Sequence, residues 1–181
     1  MDRMRCVVLL LAVCSLWFCI PCGLAAPSDE LRLEIHKTDR NLRLWRGEKL
    51  VARVPIGLGF EPRADKLREG DGATPEGRFE VCIKNPQSQY YLSLGLTYPN
   101  AEDAARGLRT GLIDEADHRR ILAALERGHC PPWDTALGGE IFIHGRGAGS
   151  DWTLGCVALD DADMKRLFDL VPVGTAVEIK P

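Results

Sequence analysis

Alternation of apolar and polar side chains with a period of two sets the tightest limit on what this chain can fold into. Leu31, Leu33 and Ile35 alternate with Arg32, Glu34 and His36, and Leu42 and Leu44 continue the rhythm. Such a run buries one face of an extended strand and wets the other, which a period of 3.6 residues cannot do. Arg46-Gly47-Glu48 reads as a turn and Leu50–Ile56 as a returning strand, so the folded part opens with β-hairpins. Glu61–Thr74 is charged and glycine-rich, with Gly70-Asp71-Gly72 inside it, and reads as a loop. Phe79, Val81 and Ile83 alternate with Arg78, Glu80 and Cys82 and make another strand.

Helical punctuation is confined to the second half. Asn100, with Asp103 three residues on, predicts an N-cap and a short helix to Arg106. Asp114 caps a second, in which Ile121, Leu122 and Leu125 share a face and Gly128 suits the C′ position. Asp160 or Asp161 caps a third, with Met164, Leu167 and Phe168 inward and Pro172 as its stop. Ile141-Phe142-Ile143 predicts a short buried strand, and Thr175–Lys180 a closing one. No internal repeat or linker divides the chain. The expectation is one mostly-β domain with two or three short helices.

The first residues are of another kind. Arg3 and Arg5 precede an uncharged run from Cys6 to Ser28, ending in Pro21, Gly23, Ala25 and Ala26. A basic start, an apolar middle and a small-residue tail predict a secretory signal peptide over residues 1–25. Gly23 and Ala25 supply the small residues that a cut after Ala25 requires. The same run is long enough to serve as an uncleaved N-terminal membrane anchor, and Cys22 offers a third outcome as a lipid attachment point. Each places residues 26–181 outside the cytoplasm, in the periplasm or cell envelope. Removing residues 1–25 takes away Arg3, Arg5 and Asp2 and moves the formal charge from −3 to −4. With 23 Lys+Arg against 26 Asp+Glu and no basic stretch, nucleic-acid binding by phosphate contacts is excluded as a function class.

The cut also removes Cys6, Cys14, Cys19 and Cys22, leaving Cys82, Cys130 and Cys156. An odd count in an oxidising compartment leaves one thiol without an internal partner. Attention falls on Ile141–Leu159, where His144 ends a buried strand, Gly145–Gly149 is glycine-rich, and Thr153-Leu154-Gly155-Cys156 leads into an apolar stretch. A histidine and a cysteine on two strand ends are what a nucleophilic pair needs, since the thiolate is the reactive form and a free thiol titrates near pH 8.5. Gly155 leaves room for a substrate carbonyl to approach. Two other readings stand beside it: a core histidine satisfied by backbone, or a zinc site from His129, Cys130, His144 and Cys156. Structural zinc ordinarily uses C-x₂-C pairs, which residues 26–181 lack, so no metal is expected.

The order Gly70-Asp71-Gly72-Ala73-Thr74-Pro75-Glu76-Gly77, then His144-Gly145, then Thr153-Leu154-Gly155-Cys156-Val157 resembles the L,D-transpeptidase (YkuD-type) catalytic domain over nearly the whole of residues 26–181. The resemblance implies a β-sandwich or flattened-barrel fold, no cofactor, and catalysis by Cys156 as nucleophile with His144 as base. It also implies that the Gly145 carbonyl orients the imidazole and that N–H groups near Gly155 and Cys156 hold the oxyanion. The implied reaction attacks the L-to-D bond of a peptidoglycan stem peptide, releases D-Ala and passes the acyl group on. Leu154 stands where the family pattern has His, Ala158 where it has Asn or Arg, and the His144–Cys156 interval is short. The acceptor therefore stays open between another stem, the lysine of a peptidoglycan-linked lipoprotein, and water. A catalytically silent wall-binding domain is a further alternative. Arg146 is a candidate for a stem carboxylate, Trp152 and Thr153 for lining the cleft, and Tyr90, Tyr91 and Tyr98 for bordering the path. If Cys156 is free, Cys82 and Cys130 are left to pair. A monomer is expected.

Overall fold

A computed structural model describes residue 1 and residues 29–181; the predicted signal peptide, its cleavage site and Cys22 lie outside the described residues. The chain runs β1 (Leu31–His36), β2 (Asn41–Arg46), β3 (Lys49–Pro55), β4 (Gly77–Ser88), β5 (Tyr91–Leu96), α1 (Ala101–Arg109), α2 (Glu115–Leu125), β6 (Phe142–His144), β7 (Val157–Ala158), α3 (Asp161–Leu170) and β8 (Ala176–Lys180). The strands form one sheet in the order β3-β2-β1-β8-β4-β5-β6-β7. Among the described residues no helix is long and apolar enough to cross a membrane.

Alternation builds the first half of that sheet as expected. Leu33 and Ile35 of β1 and Leu42 and Leu44 of β2 are buried, with Leu33 opposite Leu44 and Ile35 opposite Leu42. These cross-strand pairs fix the register, since a one-residue slip would turn all four side chains to solvent. β8 adds in parallel beside β1, contributing Val177 and Ile179 to the same core. Fully burying side chains of this size contributes about 1.5–3 kcal/mol each.

β5 is absent from the sequence reading because it does not alternate: Ser93, Leu94, Gly95 and Leu96 are all buried. Its neighbours cover both faces. A Cβ at Gly95 would lie 2.6 Å from the Ile83 side chain and 2.8 Å from the Phe142 ring, so the strand passes where only glycine fits.

Beyond β3 the chain curls back onto the far edge of the sheet. Gly57 exchanges two backbone hydrogen bonds with Ala158 of β7 (2.9 and 2.8 Å), and the Phe60 N–H donates to the Thr153 carbonyl at 3.0 Å. This flattens the sheet toward a barrel and brings residues 57–60 against the segment carrying Cys156. The approach demands glycine: a Cβ at Gly57 would lie 2.2 Å from the Ser150 carbonyl oxygen, and one at Gly59 2.0 Å from that of Gly72.

α1 is capped by Asn100, which accepts from Glu102 and Asp103 N–H while the Asp103 carboxylate accepts from Asn100 N–H. It extends to Arg109, three residues past the expected end. α2 starts after Asp114 as expected, and Ile121 joins Ala104, Ile113 and Leu137 in a small satellite core. A disulfide between Cys82 of β4 and Cys130 pins this helical pair to the sheet. In the loop-entropy model, closing a loop of 48 residues is worth about 4 kcal/mol.

Candidate active site

The site sits on the two shortest strands of the molecule. β6 and β7 run parallel, with Ile143 opposite Val157 and His144 opposite Ala158. Facing residues of neighbouring strands share a side, so His144 projects to the side opposite the buried Ile143–Val157 pair, and Cys156 follows the same parity. The two side chains border one open cavity of about 540 Å3, walled also by Ile83, Tyr90, Trp133 and Phe142. Cys156 is a free thiol. The zinc alternative loses Cys130, which is bonded to Cys82; among the described residues no group of three His, Cys, Asp or Glu could hold a metal ion.

His144 is 2% exposed, and its Nδ1 lies 2.7 Å from the Gly145 carbonyl oxygen. A carbonyl only accepts, so Nδ1 carries the proton and the neutral ring keeps its lone pair on Nε2. Burial holds the imidazole below its ordinary value of 6.5, and the Gly145 contact opposes that only in part. Burial likewise pushes the Cys156 thiol up to about 11, against the Phe142 N–H and with the Glu140 carboxylate. At neutral pH the resting site therefore holds a neutral thiol beside a neutral imidazole. An isolated thiol of that kind is a poor nucleophile without a base.

In this conformer the sulfur is turned aside. Cys156 donates its S–H to the Glu140 carbonyl and accepts the Phe142 N–H, each at 3.4 Å, and no His144–Cys156 hydrogen bond forms. Glu140 and Arg146 have φ of 53° and 79°, so left-handed residues bracket the strand that carries His144. Left-handed backbone outside glycine costs on the order of 1–3 kcal/mol and persists only where its surroundings enforce it. At Glu140 the strained backbone carries the carbonyl that meets the thiol.

The segment between His144 and Cys156 is held by side chains from four directions. Asp151 accepts the Leu58 N–H at 2.9 Å and a two-pronged ion pair from Arg40, with an Nη2–Oδ2 distance of 2.8 Å. Asp161 accepts the Arg146 N–H at 2.8 Å and Asp160 the Ala148 N–H at 3.1 Å. The sequence offers one or the other of these aspartates as the cap of α3; Asp160 occupies the N-cap but its carboxylate caps the loop instead. On the inner side Lys37, 1% exposed, gives its ammonium protons to Ala64 O, Thr74 O and the Glu76 carboxylate at 2.7, 2.9 and 2.8 Å. That fixes the 64–76 segment, whose Ala73 carbonyl backs Gly155 so closely that a Cβ there would lie 2.7 Å away. Gly155 also has φ of 132°, a conformation that other residues avoid.

The remaining expected site residues fall in different places. Thr153 does not line the cavity: it is 4% exposed, and its hydroxyl donates to Cys156 O at 2.7 Å while accepting the Gly155 N–H at 3.1 Å. It shapes the turn before the cysteine, and the Gly155 N–H is spent within that turn. Thr153, expected as a substrate contact, and the Gly155 N–H, expected to hold the oxyanion, are thus both engaged inside the turn in this structure. Arg146 is exposed and outside the cavity wall. Trp152 lies against the His144 ring edge-on, with centroids 5.6 Å apart. Tyr98 is buried, its hydroxyl donating to Leu137 O, and borders nothing. Sequence reasoning missed Trp133 and Glu140; a tryptophan after Pro131-Pro132 and a glutamate after Gly138-Gly139 were the available signals.

The L,D-transpeptidase catalytic domain (YkuD) model matches residues 30–179. No curated protein matched the chain by sequence. Among solved structures, the helical cell shape determining protein Pgp2 from Campylobacter jejuni is 25% identical with a TM-score of 0.60, over 84% of this chain and 48% of its own. Bd1075 from Bdellovibrio bacteriovorus, 18% identical, gives 0.56 over 84% and 48%. An L,D-transpeptidase from Mycobacterium smegmatis, 10% identical, gives 0.50 over 84% and 59%. The chain thus spans about half the length of these relatives. The eight-stranded sheet with three short helices is their fold, and a family match across almost all of the described residues places this chain in the L,D-transpeptidase catalytic domain family, whose members act on peptidoglycan in the cell envelope.

Proposed function

We propose that the chain is an exported cysteine acyltransferase of the L,D-transpeptidase type, acting on peptidoglycan stem peptides through an acyl-enzyme on Cys156. The observation that carries this reading is a histidine of fixed tautomer ending β6 and a free thiol directly before the parallel strand β7, both lining one cavity. The chemistry follows from the geometry. A change of Cys156 rotamer frees the S–H from the Glu140 carbonyl and turns it toward Nε2. Nε2 takes the thiol proton as sulfur attacks the carbonyl carbon of the L-to-D bond. The Gly145 carbonyl supports the imidazolium that forms. With the Gly155 N–H committed to Thr153, we assign the oxyanion to the Cys156 N–H. Collapse breaks the C–N bond, the imidazolium returns its proton to the departing D-Ala amine, and a thioester remains. An acceptor amine then attacks, Nε2 takes its proton, and the thiol is regenerated. With water as acceptor the same intermediate gives hydrolysis.

Incubation with a carbapenem followed by intact mass tests the nucleophile. The wild type gains one adduct and Cys156→Ala none; a wild type that stays unmodified overturns the enzymatic reading in favour of a silent wall-binding domain. Treating purified sacculi then tells transfer from hydrolysis. A rise in cross-linked dimers supports the transferase, and free shortened stems alone replace it with an L,D-carboxypeptidase.

A further inference from the structure

The resting sulfur gives its hydrogen bonds to Glu140 and Phe142 and none to His144, so something other than the thiol must hold the base ready. The Gly145 carbonyl fixes one point of the imidazole, at Nδ1. A single hydrogen bond leaves the ring free to tilt about it. Two aromatic side chains remove that freedom. Tyr90 lies on one face of the imidazole with centroids 4.6 Å apart and planes 26° from parallel. Trp152 closes on the ring from the side at 5.6 Å and 65°, and also meets Tyr90 at 5.8 Å. Both are themselves tethered to the histidine's own loop: the Gly145 N–H donates to the Tyr90 carbonyl at 3.0 Å, and Trp152 Nε1 donates to the Gly147 carbonyl at 3.1 Å. Tyr90 stands in the tight turn joining β4 and β5, where Ser88 pairs with Tyr91 and Tyr91 is left-handed at φ 76°.

We infer that Tyr90 and Trp152 are positioning residues for the proposed base, an aromatic clamp that fixes the plane of the His144 ring so that Nε2 faces the place the thiol reaches on rotating. The inference rests on the reading of His144 as base. It assigns Tyr90 and Trp152, each more than one-third exposed, a reason to be there that packing alone does not give. An aromatic pair contributes more than the area it buries, enough to bias one ring orientation. The clamp also supplies part of the burial that keeps the imidazole neutral. The other titratable or charged groups facing the ring or its loop are Cys156 beside β7, Glu140 on the segment entering β6, Tyr91 against Gly145, Arg146 after it, and Asp160 and Asp161 at the head of α3. Tyr90→Phe changes none of these.

The test compares Tyr90→Ala, Tyr90→Leu and Tyr90→Phe with the wild type. D-Ala release from a tetrapeptide stem is followed from about pH 5 to pH 8.5, and the His144 imidazole is titrated by NMR. Tyr90→Ala should lower kcat about tenfold or more, because a base misplaced by a fraction of an ångström loses that much. Its acid limb and its imidazole titration should both move up toward the ordinary histidine value as the ring is wetted. Tyr90→Phe should stay within about twofold of wild type with an unmoved limb. Tyr90→Leu keeps bulk without an aromatic face and should behave as the alanine variant, covering the case in which alanine fails to fold. Unchanged kcat and acid limb in Tyr90→Ala or Tyr90→Leu, with or without a raised KM, overturns the clamp; a raised KM alone would make Tyr90 a substrate contact. If the wild type releases no D-Ala, the proposed function fails separately. The NMR titration then decides the clamp by itself, and an unshifted imidazole in Tyr90→Leu overturns it.

Discussion

The two ends of the sheet are held by different forces. At the β3-β2-β1-β8 end, regular strands of five to seven residues interlock apolar side chains, and register follows from burial. At the β6-β7 end the strands are three and two residues long. There, position is set by carboxylates on backbone N–H groups, by glycines that admit a neighbouring carbonyl, and by one buried lysine. The first end supplies stability through many small and interchangeable contributions. The second spends some of it on left-handed residues and enclosed ionisable groups to place two side chains.

If that division holds, substitutions at the two ends should separate activity from stability. The largest effect is expected at His144→Ala: acylation of Cys156 should fall by a factor on the order of 10³ or more, while thermal unfolding shifts little. A comparable loss of stability would show that the β6-β7 end is structural after all. Replacing Cys82 and Cys130 together by serine should cost stability by up to about 4 kcal/mol in urea unfolding, with the sacculus activity of the remaining folded protein retained. Leu44→Ala, in the alternating end, should cost about 2–5 kcal/mol and leave kcat of the folded fraction unchanged. Asp151→Ala should do the converse, lowering kcat about tenfold for about 1–2 kcal/mol, since it frees Arg40 and the Leu58 N–H together. The smallest effect is in the pH profile. With the imidazole below 6.5 and the base required neutral, activity should stay level from pH 8 down to about 6.5 and fall only below that. The same shift makes His144 a stabilising neutral group above the unfolded value, a contribution lost as pH falls through the folded one.

The same contrast explains what the sequence makes legible. Alternation predicts β1 to β4, caps predict the helices, and the Thr-Pro-Glu-Gly and His144-to-Cys156 segments carry the family resemblance. β5 is invisible because burial on both faces removes its alternation, leaving a run in which Gly95 looks like a breaker. Asp160 and Asp161 look like helix caps because their service to Arg146 and Ala148 depends on a fold-back that no local pattern encodes. Nothing in the local pattern marks Lys37 as the buried anchor of a segment 27 to 39 positions away. Thr153 was legible as important but not as a loop-builder, since its two bonds lie within four residues. Tyr90 reaches His144 across 54 positions only because the β4–β5 hairpin lays its turn over β6.

The central claim is that Cys156 carries the acyl group and depends on His144 to do so. It is tested most directly by acid-quenching the protein during turnover of a tetrapeptide stem and mapping the intact mass gain to a peptide. The account predicts a gain equal to the stem less D-Ala on the peptide containing Cys156, missing in His144→Ala and in Cys156→Ala. A gain on any other residue, or one undiminished without His144, would contradict it.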